Sequence, residues 1–521
     1  MSEEEYYQLG HGHGIDADMV DGLHAKEIEM KARRWSGGGP EAGLPCSYLV
    51  FNEGDIIKAI NGSTGKTQFS GTDASTVINN ALGALTAGRA QKEKVILKGT
   101  FTMTAKIRPS SYTILDLSQA ILINSGITNS MIENYDTTNG NKFIDILGGE
   151  IDWNDGGTAP KVINFVKVED SLIEGTYIHE VPSGSDSYAI QFDTVKRTDM
   201  RFGRFDDIAS AGAIIVRASE DSNIIGWKTT NFGGGSGVSA IYLIFGYSGS
   251  VTKRCNIIDC FGTISTGTDG RGAQIYCYAE DCKIIGGVYK ITATTSNTIQ
   301  GINIGHTGYE NTVVNSGAYD VTIIGKRADG SAGGTLGAVI QEKATVKGLK
   351  IRGANTGIYI TNGNGSLVSD NTIDDYYSTG ISVEEQVAAQ QINNLRIANN
   401  ILSNGGTRAI WILTGVENTV IEQNTFISAG TVLTDLGTNT MWGFGNIAEG
   451  KPYENSGTAT ITASTTTTFA HGLVGTPTRV DVGFKTAGYG SWIWSADQNN
   501  ITITVATSGT YNLTWEAEYK P

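Results

Sequence analysis

Paired carboxylates, clustered cysteines and a histidine doublet are the side chains of this chain whose types and spacing could do chemistry. Glu150 and Asp152 stand at i and i+2 in FIDILGGEIDWNDGG, residues 143–157. On one strand that spacing puts both on the same face, roughly 6.5–7 Å apart at the backbone. Two carboxyls about 6.5–9.5 Å apart suit inverting cleavage of a glycosidic bond, and about 5–5.5 Å suits retention. A lyase would instead need a base for a sugar-ring proton and a cation to steady the resulting charge. Asp155 lies close by, and Trp153, a candidate ring for a sugar to stack on, points the opposite way along the strand. Asp374 and Asp375, followed by Tyr376 and Tyr377 in IDDYYSTG, form a second candidate, again two carboxyls beside sugar-stacking rings. Adjacent strand residues diverge, so this stretch reads as a turn. Glu220/Asp221 and Glu384/Glu385 read as solvated loop charges.

Four of the five cysteines fall in CNIIDCFGTISTGTDGRGAQIYCYAEDC, residues 255–282. The step from Cys255 to Cys277 equals the step from Cys260 to Cys282. Within each C-x4-C, the extended chain spans roughly 16 Å, so only a turn could gather four sulfurs on a metal. Disulfides, a metal site and stacked thiols are the alternatives. Reduced cysteine packs as a small hydrophobe, and the equal offsets favour two internal ladders, Cys277 over Cys255 and Cys282 over Cys260. Cys46 reads as a lone buried thiol. Near the start, His11 and His13 form H-x-H, whose rings point the same way on an extended strand. The alternative there is a glycine-flanked polar tail.

What must position these groups is a chain of 521 residues with 68 Gly, 8 Pro and only 17% charged residues, which suits short strands and tight turns. Runs such as VILKGTF, ILDLSQAILI, SLIEGTYIHEV, KIIGGVYKI and LKIRGANTGIYI alternate with Asn/Gly/Ser/Asp turns. Three late units align through Asn371, Asn399 and Asn424, at nearly equal steps. No helical pattern separates the strands, which excludes a βαβ sheet. A repeat of this length indicates a solenoid, in which each coil buries its apolar row only by stacking on the next. Residues 93–450 at ~25 residues per coil make roughly 14 coils, a rod of about 65–70 Å. Ahead of it, residues 46–92 contain TDASTVINNALGAL, where Asp73 or Ser75 can cap a helix with Val77, Ile78, Ala81, Leu82 and Leu85 on one face. Residues 1–45 form a polar N-terminal segment. In residues 451–521, Tyr511, Leu513, Trp515, Ala517 and Tyr519 alternate, as in a small antiparallel β-sandwich. There Trp492 and Trp494 share a face, as core, as interface or as a carbohydrate platform. The fold class is all-β.

Bulk charge narrows the function classes. A net charge of −15, without a Lys/Arg run, argues against nucleic acid. No stretch approaches the ~18 apolar residues of a membrane span. MSEEEYYQLGHG has no apolar core, so a secretory signal is not expected and folding in a reducing cytoplasm is.

The stretch TDASTVINNALGAL … EKVILKGTFTMTAKIRPSSYTILDLSQAILI resembles the capping helix and first coils of right-handed parallel β-helices of the pectate-lyase-like superfamily. FIDILGGEIDWNDGG is similar to that superfamily's "GG-x-I-D-G" coil, although Trp153 and Asn154 depart from its glycine. The asparagine turns fit the same pattern, so the likeness covers roughly residues 65–450. The N-terminal DADMVDGLHA resembles a segment recurring in tail fibres and tailspikes of tailed viruses. Together these resemble a tailspike. That resemblance implies a homotrimer placed in the virion tail, partnered by tail or baseplate proteins, which recognises host cell-surface polysaccharide and in many relatives cleaves it. It also implies a use for the doublet: in a trimer, six imidazoles from His11 and His13 could hold a transition-metal ion on the axis. No other cofactor is required. The superfamily also holds free lyases, hydrolases and inert adhesins, so a stand-alone polysaccharide lyase or hydrolase and a non-catalytic adhesive β-helix remain as alternatives. The polygalacturonase-like set of motifs is not met, because G-H-G occurs only at the N-terminus and no R-x-K appears in the late coils.

Overall fold

The computed structural model describes residues 46–520 apart from 155–159, 183, 185, 210, 233–238, 265–269, 294–298, 307–308, 310–311, 328–333 and 386–391. His11, His13, the rest of residues 1–45 and Asp155 lie outside the described residues. The described chain begins with a hairpin, Tyr48–Glu53 against Ile56–Asn61, whose first strand also runs parallel to Glu93–Met103. Between them, helix α1 (Ala74–Gly83) starts at Asp73, whose carboxylate accepts the Thr76 N–H at 3.1 Å. Val77, Ile78, Ala81, Leu82 and Leu85 are buried, so the helix closes one end of the solenoid core.

From Glu93–Met103 to Ile447–Ala448 the chain winds as a parallel β-solenoid. Successive coils lay three main strands into three rows. The first two rows belong to one bent 30-stranded sheet, and the third makes a 12-stranded sheet. Thus Leu172–Glu174, Tyr177–Val181 and Tyr188–Asp193 pair in parallel with Asp199–Arg201, Arg204–Ile208 and Gly212–Arg217 of the next coil. Inward residues stack in files: Ile146, Ile173, Met200, Ile224, Ile257 and Ile284 lie one above another, all fully buried. Coil length varies widely. Val420 pairs with Met441 after a short coil, whereas Lys283 reaches Gly317 only after a much longer one.

This variable length corrects two register expectations. The first and second rows meet at a two-residue corner, whose first residue is left-handed and whose second points inward. Asp370, Asn399 and Gln423 are the left-handed members, at φ 59°, 57° and 55°. The inward members are Asn371, Asn400, Asn424 and Asn446, all buried. Each amide donates to the next: Asn371 Nδ2 to Asn400 Oδ1 at 2.8 Å, Asn400 to Asn424 at 2.9 Å, and Asn424 to Asn446 at 3.2 Å. The ladder therefore runs through Asn400, and Asn399 is the turn residue beside it. Similarly, Asn256 pairs with Lys283, which places Cys255 on Cys282 and not under Cys277. Cys255 and Cys282 continue an inward file of small residues, Ser171, Thr198, Ser222 and Ser316. In that file Ser222 Oγ accepts the Thr198 N–H at 3.1 Å, and Ser316 Oγ accepts the Cys282 N–H at 3.2 Å. All five cysteines are free thiols, in no disulfide. Burial pushes the pKa values of Cys260, Cys277 and Cys282 up to about 12. Cys46 is half-buried rather than buried.

A charge pattern reinforces the register. At the turn entering the first row, Glu169-Asp170, Lys196-Arg197, Glu220-Asp221, Lys253-Arg254 and Glu280-Asp281 follow one another coil by coil. Arg197 Nε donates to Asp170 at 2.7 Å, Arg254 Nε to Asp221 at 2.7 Å, and Lys253 reaches Glu280 at 2.8 Å. Glu220/Asp221 are therefore ion-paired rather than merely solvated. Exposed pairs of this kind add little net stability. Their main effect is discrimination, because a slip of one coil would set acid against acid.

The C-terminal region is a four-stranded antiparallel sheet. Glu454–Ala470 and Asn500–Glu518 run its whole length, with Arg479–Phe484 and Trp492–Ala496 flanking opposite halves. Register shifts between Ile461 and Thr466 break the long ladder into two halves, which share the core residues Ile461, Ile501, Ile503, Leu513 and Trp515. Tyr453 stacks on Tyr519 at 5.8 Å and meets Trp442 at 4.9 Å, joining sheet to solenoid.

Replacing Asn400 by Ala leaves the buried Asn371 N–H without its acceptor, and denaturant unfolding should show a loss of roughly 2–4 kcal/mol. Asn399→Ala, which costs only left-handed strain, should lose about 1–2 kcal/mol. Thiol labelling of the native protein should modify Cys46 alone. The other four should react only after denaturation, because burial blocks access and holds them as thiols.

Candidate functional site

The second row of strands carries an outward cluster built from three successive coils. Glu150 and Asp152 lie on Glu150–Asp152, beside Tyr177 and His179 of Tyr177–Val181, with Arg204 and Asp206 of Arg204–Ile208 next in register. The period of two sends both carboxylates outward and Ile151 into the core. His179 fills the space between them. Its Nε2 lies 3.2 Å from Glu150 Oε1, and its Nδ1 lies 4.0 Å from Asp152 Oδ1 and 4.0 Å from Glu180 Oε1. The Tyr177 ring stacks on the imidazole at 4.7 Å, and the Arg204 guanidinium covers Tyr177 at 4.2 Å. The arrangement is thus carboxylate–imidazole–carboxylate, not two carboxyls flanking an open slot. Trp153 is fully buried and donates its backbone N–H to His179 O, so it offers no sugar platform. Its side chain follows Asp152 directly along the chain and points the other way.

The second predicted pair splits. Asp374 lies on Thr372–Asp374 and accepts bonds from Ser403 Oγ and Asn404 Nδ2, each at 2.8 Å, with Arg352 Nε at 3.7 Å. Partial burial raises its pKa, but the bonds from Asn404 and Ser403, with Arg352, outweigh that and hold the carboxyl below its ordinary value. Asp374 is therefore a fixed anion, unsuited to donate a proton. Asp375 is exposed on a left-handed turn residue, φ 53°. Tyr376 is buried, its hydroxyl donating to Ala429 O at 3.1 Å, which removes it as a sugar contact. Tyr377 is half-exposed and borders a shallow groove of about 460 Å³ with Asp375, Asn404, Gly405 and Gly406. A Cβ on Gly405 would meet the Tyr376 ring at 1.9 Å, so packing here requires glycine.

A third surface was not singled out by sequence. Where the third row turns out, Arg217, Phe245 and Tyr276 lie on consecutive coils, and His306 follows on the next. Phe245 meets Tyr247 at 5.1 Å and Tyr276 at 6.2 Å, and Tyr276 meets His306 at 4.5 Å and Tyr309 at 5.7 Å. Tyr247 and Tyr309 are each 40% exposed. Arg217 lies over Tyr247 at 5.5 Å and is paired with Asp193. Burial raises the Tyr247 and Tyr276 pKa values, so both hydroxyls stay neutral donors. Four coils at ~4.8 Å make a strip about 14 Å long. Rings with an apolar face and a polar tip, flanked by charge, suit a ligand that is itself alternately apolar and hydroxylated. The signal lay in recurring aromatics at unequal intervals, which coil alignment alone reveals.

In the C-terminal sheet, Trp492 packs against Phe484 at 5.9 Å and is half-buried, while Trp494 is 37% exposed beside the exposed Ile493. A concavity of about 630 Å³ lies by α1 and is lined by residues that include Arg89, Arg108 and Tyr135. Arg89 is fully engaged there with Tyr112 O, Thr86 O, Ser110 and Thr113, a structural role.

The family described as the right-handed β-helix region matches residues 293–465. No curated protein matches the chain. Among solved structures, two mutant forms of the tailspike protein of E. coli bacteriophage HK620, each in complex with a pentasaccharide, superpose with a TM-score of 0.50. Both share 11% identity, over 86% of this chain and 90% of theirs. The catalytic unit of an α-1,3-glucanase from Streptomyces thermodiastaticus gives a TM-score of 0.44 at 13% identity, over 72% of this chain and 66% of its own. The fold is a right-handed parallel β-helix, similar to that of these tailspikes, with a C-terminal antiparallel sheet. Among the described residues, no helix is long and apolar enough to cross a membrane.

Asp374→Asn should lower stability by about 1 kcal/mol at neutral pH. Because the folded-state pKa is depressed, the wild-type advantage is present above the ordinary carboxylate pKa and lost as pH falls through the folded value. Unfolding curves of the two proteins should therefore converge in acid.

Proposed function

We propose that this chain is a tailspike-type receptor-binding protein that recognises host cell-surface polysaccharide along the outside of its β-helix. The observation that carries this reading is the aromatic strip of the exposed Tyr247 and Tyr309 with the partly buried Phe245, Tyr276 and Arg217. Tailspikes of the same fold are described with a bound pentasaccharide, which supports a glycan as the ligand. The Tyr377 groove is a second place where the glycan could run. Assembly as a homotrimer, attachment to virion tail or baseplate proteins through residues 1–45, and a transition-metal ion held by His11 and His13 belong to the same proposal. They rest on the sequence resemblance.

Fluorescence titration of the full chain with surface polysaccharide from the true host should give saturable binding. Tyr247→Ala and Tyr309→Ala should each weaken it about ten-fold, the scale of a central aromatic contact. Tyr377→Ala tests the groove in the same way. Binding untouched by all three changes would overturn the placement. The products separate the alternatives: new reducing ends mark a hydrolase, unsaturated uronate absorbance a lyase, and intact glycan an adhesin.

A further inference from the structure

We infer that Asp152, His179 and Glu180 form a binding site for one divalent first-row transition cation, of which Zn²⁺ is the suitable probe. The site goes beyond the glycan reading and does not depend on it. The argument begins with the imidazole. A carboxylate oxygen only accepts, so the 3.2 Å contact with Glu150 Oε1 places the proton on Nε2 of His179. In the neutral imidazole the lone pair is then on Nδ1, which lies 4.0 Å from Asp152 Oδ1 and 4.0 Å from Glu180 Oε1. One ligand atom from each of the three residues lies within 4.8 Å of the others. Three acceptors face one another at distances too long for a hydrogen bond, an arrangement that a cation between them resolves. A first-row ion with ligands at about 2.0–2.2 Å spans donors roughly 3–4 Å apart.

Two features build this geometry. Glu180 follows His179 directly and on a regular strand would point to the opposite face. Its left-handed backbone, φ 58°, turns it back beside the imidazole. Glu150 on the far ring nitrogen, and Tyr177 stacked at 4.7 Å, fix the ring's orientation. A carboxylate behind a ligating histidine is the usual outer support of such a site. One imidazole with two carboxylates favours a first-row ion over Mg²⁺ or Ca²⁺, which select oxygen alone. Asp152, His179 and Glu180 are half-covered, which leaves the outward side of the ion open to water or to a hydroxylated ligand.

The test uses the full chain carrying His11→Ala and His13→Ala, so that the N-terminal doublet contributes nothing, freed of metal and titrated calorimetrically with Zn²⁺. One equivalent per chain should bind. His179→Ala should abolish that equivalent, and Glu180→Gln, a conservative change, should weaken it roughly ten-fold or more. Glu150→Gln should weaken it about 10–100-fold through ring orientation. Thermal melts establish that each variant is folded, and Glu180→Gln carries the test if His179→Ala is not. Absence of binding, or a Zn²⁺ stoichiometry and affinity unchanged by His179→Ala and Glu180→Gln, overturns the inference. So does Ca²⁺ binding as tightly as Zn²⁺ and indifferently to residue 179. Glycan binding that is unchanged in the tyrosine variants leaves this result untouched, so the two readings fail separately.

Discussion

Everything in this molecule depends on the backbone hydrogen bonds that run from each coil to the next. A single coil has no partner for its amides and carbonyls along the axis, and its single layer of inward side chains cannot exclude water. Parallel pairing at ~4.8 Å solves both problems together. It also forces like positions into files. Ile146, Ile173, Met200 and Ile224 line up because register allows nothing else. Asn371, Asn400, Asn424 and Asn446 pass one amide chain up the corner for the same reason. A file of identical amides satisfies every donor and acceptor without water. A file of alternating Glu-Asp and Lys-Arg pairs opposes any slip by one coil.

The same registry generates function from outward positions. Residues remote in sequence become neighbours at the strand spacing, so Asp152, His179 and Asp206 share a file although each belongs to a different coil. The aromatic strip arises likewise, from Arg217, Phe245, Tyr276 and His306, each contributed by its own coil. A solenoid therefore offers long, straight binding surfaces whose chemistry changes coil by coil, a form matched to a linear polymer. The left-handed residues are where it departs from regularity. Glu180 and Asp375 sit on such positions and present side chains that a continuous strand would have turned away.

Class, core and cap were legible in the residues because they depend on local pattern. Period-two Val/Ile runs, asparagine at turns and the Asp73-led apolar helix face are each decided within a few neighbours, and each appears in the structure. Exposure at strand ends was less legible. Trp153 and Tyr376 have the ring expected of a sugar contact, but both face the core, since a single step of phase separates outside from inside.

Registry between coils could not be counted along the chain. Insertions lengthen some coils and not others, so equal spacing of the cysteines was coincidence, and Cys255 stacks on Cys282. His179 between Glu150 and Asp152 escaped notice for that reason: it lies one coil away from both. The amino-acid sequence by itself determined that the chain must wind, what its core is made of and where it bends, because those follow from side-chain alternation and turn preference. Only the tertiary structure decided which outward residues meet, because that depends on how much chain each coil takes to return to its neighbour.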